Sequence, residues 1–120
     1  ETSEVIKEKM VNASSSQTVR SRSRTGKHSR QLQSAWTDAW ESKDAPEPLP
    51  MPLQTMISEP ALAVVNKQAE IGHEGAKELA TYWVGQGIGL VDETITAGQT
   101  VQKFKEEFAV AYERVVSLLD

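Results

Sequence analysis

At 120 residues, with a formal net charge of −4 and 38% hydrophobic residues, the chain holds material for one domain with a modest core. It has no cysteine, which excludes disulfides and thiolate chemistry and fits a reducing, cytoplasmic setting; two widely separated histidines do not make a metal-ligand set. No run approaches the ~18 apolar residues of a membrane span, and the charge is split, with seven Lys or Arg against three Glu in residues 1–30 and six against fourteen acids in residues 31–120.

Ser3 is placed to cap a short helix running to Met10 or Val11, with Val5, Ile6 and Met10 near one face and Glu4, Lys7, Glu8 and Lys9 mostly opposite. The serine-rich stretch from Asn12 to Gln17 reads as a loop, Thr18 to Arg22 as a short strand, and Thr25-Gly26-Lys27 as a turn. Leu32, Ala35, Trp36, Ala39 and Trp40 recur at spacings of three and four, so a helix between Gln31 and Ser42 carries both tryptophans on one face.

From Ala45 to Pro52 proline occupies alternate positions, which removes backbone donors and favours an extended connector that is ordered only when docked. A turn of helix from Pro52 to Ile57 and a second helix opening at Glu59-Pro60 follow, the latter with Leu62, Val65 and Ala69 as its stripe and Gly72 as its stop. Glu74 to Tyr82 resumes as helix, with Ala76, Leu79, Ala80 and Trp83 inward. Near the end, Thr96-Ala97-Gly98-Gln99 forms a capping box ahead of an amphipathic helix whose stripe is Val101, Phe104, Phe108, Ala111, Val115 and Leu118. A helix of that length needs a partner surface, so the stripe reads as core or interface.

Between the last two helices lies Tyr82-Trp83-Val84-Gly85-Gln86-Gly87-Ile88-Gly89-Leu90, three glycines at alternate positions around one glutamine. Glycine permits close approach to the main chain, and the Gln86 amide can both donate and accept. The G-x-G-x-G spacing matches neither the dinucleotide fingerprint nor the P-loop, so the residues alone read as a glycine-rich turn, with a ligand-contacting loop as the alternative.

Taken in order, Thr18-Val19-Arg20, Thr25-Gly26-Lys27, Ala35-Trp36-Thr37, Pro48-Leu49-Pro50-Met51-Pro52-Leu53-Gln54, the glycine stretch and the closing helix resemble the C-terminal part of nitronate monooxygenases, flavin enzymes formerly called 2-nitropropane dioxygenases. The resemblance implies an α/β fold: the C-terminal, mainly helical portion of an FMN-binding (β/α)8 TIM barrel, incomplete in this chain. Residues 1–44 then end the barrel region, 45–52 form the proline-rich connector, and 53–120 form a helical segment bearing a Gly-Gln loop on the cofactor side. It further implies FMN held noncovalently, an alkyl nitronate as the small-molecule substrate, oxidation with oxygen, and a missing N-terminal barrel portion as partner. Carried over by position, Gly85 and Gln86 contact the cofactor, Gly87 supports the loop and Tyr82 lines the substrate side.

No residue here matches the family's catalytic histidine, because His28 and His73 stand in other contexts and read as surface residues; no catalytic residue is therefore assigned. Nor is there a cationic cluster near the glycines to hold a flavin phosphate, since Asp92 and Glu93 sit there instead. Two readings of other classes remain: RNA binding by the five cations of Arg20 to Arg30, which lack interleaved aromatic residues for base stacking, and a structural clamp on another chain.

Overall fold

A computed structural model describes residues 2–119, so Glu1 and Asp120 lie outside the described residues. The elements follow as α1 (Glu4–Asn12), β1 (Thr18–Ser21), β2 (Ser29–Leu32), α2 (Ala35–Trp40), α3 (Leu53–Glu70), α4 (Glu74–Leu79), a single 3-10 turn (Gln86–Leu90) and α5 (Ala97–Val116). Helices dominate, and the one sheet has two antiparallel strands in the register Thr18–Leu32 to Ser21–Ser29.

Local signals set several boundaries. The Ser3 hydroxyl accepts from the Ile6 N–H at 3.3 Å and opens α1, while Ser34 and Thr37 exchange bonds in a capping box that opens α2. At the end of α3, Gly72 takes φ +94°, the His73 N–H returns to the Gln68 carbonyl and the Gly72 N–H to Ala69, a Schellman stop. Trp36 and Trp40 do share a face, with ring centroids 6.1 Å apart.

Three expectations need correction. Strand β2 takes in Gln31 and Leu32, expected at the start of a helix, because they complete the hairpin before Ser34 caps the helix at Ala35. Pro60 does not begin a helix; it lies inside the 18-residue α3. An interior proline costs about 3 kcal/mol, but the turns before it are tied by tertiary bonds. The Gln54 amide donates to the Ser23 carbonyl at 2.7 Å and the Ser58 hydroxyl to the Arg24 carbonyl at 2.6 Å.

The third correction concerns α4, which ends at Leu79 rather than Tyr82. Tyr82 and Val84 leave the helix to bond with β2: the Leu32 N–H donates to the Tyr82 carbonyl at 3.0 Å and the Val84 N–H to the Arg30 carbonyl at 3.2 Å. An open sheet edge offers these aromatic and β-branched residues more backbone partners than another helical turn would.

The core is small. Ile6 of α1 packs on Ala69 of α3 and on Ala76 and Ala80, with Val5, Met10, Val65 and Tyr82 around them. Lys9 fastens the same junction, donating to the Ala80 carbonyl at 2.7 Å; burial lowers its pKa, more than the charge of Glu78 raises it.

The proline connector is docked. Arg22 pairs with Glu47, the Leu49 N–H donates to the Gln54 side-chain oxygen at 3.0 Å, and Gly26 at φ +81° leaves no room for a Cβ, which would sit 2.2 Å from the Leu49 carbonyl oxygen. By contrast, every residue of α5 from Val101 to Val116 is exposed, and the described residues extend to 61 Å along the longest axis.

Candidate functional site

The Gly-Gln stretch grows directly out of the sheet. Gln31 in the middle of β2 bridges Trp83 in antiparallel fashion, and the Thr81 hydroxyl donates to the Leu32 carbonyl at 2.6 Å. Successive side chains of an extended segment alternate in direction. Tyr82 is half-buried against the core cluster, whereas Trp83 is 41% exposed, and the two rings meet edge to face with centroids 5.9 Å apart. Helical periodicity predicts an inward Trp83; the strand register reverses it.

Beneath Trp83 lies Arg24, only 4% exposed. Its guanidinium carbon is 3.5 Å from the indole centroid, and its Nε and Nη2 donate to the two carboxylate oxygens of Glu59 at 2.8 and 2.7 Å. The Trp83 indole N–H donates to the Ser29 hydroxyl at 3.3 Å. Ser23 and Gln31, both fully buried, bond side chain to side chain at 3.2 Å in the same layer. The arginine and serine tract is thus a folded hairpin: Ser21 and Ser23 are buried, Arg22 and Arg24 are ion-paired, and Arg30 donates to Thr18. Arg20 and Lys27 of the same tract stay exposed.

Past Val84 the chain reaches open solvent. Gly85, Gln86 and Gly87 are all exposed, and the Gln86 side chain has no hydrogen-bond partner among the described residues. A Cβ at Gly87 would meet nothing within 4 Å, and one at Gly85 only the Gly87 nitrogen at 3.9 Å. Gly89 differs, because a Cβ there would lie 2.5 Å from the Ser15 hydroxyl oxygen, so its lack of a side chain is what seats the 3-10 turn on the loop after α1. Of the three glycines, therefore, one serves packing and two leave an uncluttered backbone ribbon beside a free amide.

The stretch is open to approach by another group along its backbone and at the Gln86 amide. It does not suit a phosphate, since Asp92 and Glu93 follow it and both are exposed. His28 and His73 are exposed as well; the His73 ring nitrogen Nδ1 accepts from the Ala76 N–H at 3.2 Å and serves as the cap of α4. Among the described residues no three His, Asp or Glu gather as a metal set, and no helix is long and apolar enough to cross a membrane. A cleft of about 390 Å³ between α1 and β2 is lined by Val5, Lys9, Gln17, Leu32 and Lys77 among others, and it includes none of the Gly-Gln residues.

The chain is similar to part of a longer protein. It is 48% identical over 109 residues to the Mycobacterium tuberculosis protein named "Putative monooxygenase Rv1533". The match takes in 90% of this chain but only 29% of that relative's length. No family model and no solved structure matches the chain.

The Arg24 and Glu59 pair beneath Trp83 has no signature in the sequence. Its two members are 35 positions apart, and neither stands in a motif.

Proposed function

We propose that the chain is the C-terminal part of an FMN-dependent monooxygenase of the nitronate monooxygenase type, acting on alkyl nitronates. The observation that carries this reading is the 48% identity to a protein named as a monooxygenase, in which nearly all of this chain corresponds to less than a third of the relative. FMN, when bound, supplies the two-electron and oxygen chemistry. The residues of this chain form one wall of its pocket: Gly85 and Gly87, at the start of the 3-10 turn, leave backbone without side chains for the ring to approach, and the unpaired Gln86 amide donates or accepts at its polar edge.

Arg24 and Trp83 act behind that wall. The buried guanidinium fixes the indole, and the indole fixes the direction in which the chain leaves β2 toward Gly85. Tyr82, half-buried behind Trp83, contributes through its position at the root of the ribbon. The phosphate donors and any general base belong to the missing N-terminal barrel portion, because Asp92 and Glu93, not cations, follow the glycines and both histidines stand exposed away from them.

The test uses the polypeptide in which these residues naturally occur. Its visible absorbance is recorded, the released cofactor is identified after denaturation, and oxygen uptake is followed with an alkyl nitronate. Stoichiometric FMN with nitronate-dependent uptake is the expected result. A colourless protein overturns the FMN assignment, and a yellow protein inert toward nitronates overturns the substrate class.

A further inference from the structure

We propose that α5 is a self-association element that pairs antiparallel with α5 of a second copy of this chain. The helix is capped by its own Thr96 and Gln99, runs for 20 residues, and leaves Phe104 and Phe108 about two-thirds exposed or more, at 66% and 72%. A seven-residue repeat runs through it, with Val101, Phe108 and Val115 at one core position and Phe104 and Ala111 at the other, and Leu118 continues it just past the helix end. The outward positions between them hold Gln102, Lys103, Glu106 and Glu113 beside Ala109, Val110 and Val116.

Charge complementarity selects the occupant and its direction. Glu107 and Arg114 occupy equivalent flanking positions one heptad apart, and neither makes an ion pair among the described residues. In an antiparallel pair centred between Phe108 and Ala111, each large Phe108 faces the partner's Ala111 and each Phe104 the partner's Val115. The same register sets Glu107 beside the partner's Arg114, and the two-fold axis repeats that pair. On the other flank Lys105 meets the partner's Tyr112, also twice, with the ammonium over an aromatic ring. A parallel pair would instead set Glu107 beside the partner's Tyr112 and Arg114 beside the partner's Leu119, leaving both charges unmatched.

This inference does not depend on the flavin reading, and charge exchange tests it. Sedimentation velocity over a concentration series is expected to show a dimer. Glu107→Arg alone and Arg114→Glu alone each place two like-charge pairs in the interface and weaken it about tenfold. The double variant Glu107→Arg with Arg114→Glu restores the original affinity, and mixing the two single variants yields a heterodimer, because each then supplies the charge the other lacks. A protein that is monomeric at every concentration overturns the proposal, as does a dimer indifferent to the single substitutions. Single variants that stay monomeric when mixed overturn it too, as they would if α5 packed against another part of a longer polypeptide.

Discussion

The guanidinium of Arg24 lies flat enough beneath Trp83 to bring its central carbon within 3.5 Å of the indole centroid, while its other edge grips Glu59 with two parallel bonds. One buried side chain thereby joins the hairpin, α3 and the ribbon that leads to Gln86. A stacked arginine keeps its charge where a lysine would not keep the fork, so the contact combines planarity with a bidentate carboxylate.

Removing either member of this pair is expected to be unequal in effect. Glu59→Ala leaves a 4% exposed guanidinium without its counter-charge and should destabilise the fold by about 3 kcal/mol, the lower part of the range for buried pairs because Glu59 is partly open to water. Arg24→Met removes the buried charge itself and should cost less. Urea unfolding followed by tryptophan fluorescence measures both, and equal losses would contradict the burial argument.

Gly26→Ala should destabilise by roughly 2–3 kcal/mol, since φ is +81° and the new Cβ would overlap the Leu49 carbonyl. Gly87→Ala should change stability by less than about 0.5 kcal/mol, because nothing lies within 4 Å of its Cβ. Thermal melts of the two variants side by side show whether the connector is docked as described.

Gln86→Ala should leave unfolding unaltered, as the side chain bonds to no described residue. Under the proposed function it should also weaken FMN binding roughly three- to tenfold, the effect of one lost hydrogen bond. Fluorescence titration with FMN reads this directly, and unchanged affinity would remove Gln86 from the pocket.

Lys9 gives a pH dependence with a definite sign. Burial lowers its folded-state pKa below the ordinary 10.5, so the unfolded chain binds more protons in the interval between the two values. Stability attributable to Lys9 therefore rises with pH from its lowered pKa up to 10.5 and is level on either side. Replacing it with methionine should flatten that part of the curve, as followed by melting temperature on the alkaline side in both proteins.

Elements whose signals are local are legible in the amino-acid order: the Ser3 cap, the turn at Gly26, the Gly72 stop and the Thr96 capping box each depend on residues within a few positions of one another. Elements decided by distant partners are not. Pro60 reads as a helix start until Gln54 and Ser58 bond to the hairpin, and Tyr82-Trp83-Val84 reads as helix until β2 offers its free edge.

By itself, the sequence determined the helical periodicities, the caps and the glycine positions, since each follows from backbone conformation and nearest-neighbour chemistry. Tertiary structure alone decided which glycine packs and which lies open, that the arginine and serine tract folds inward, and that Trp83 is held from below by Arg24. The physical reason is that hydrogen bonds and ion pairs across tens of residues outweigh local preferences of a kcal/mol or so, and no window of neighbouring residues contains them.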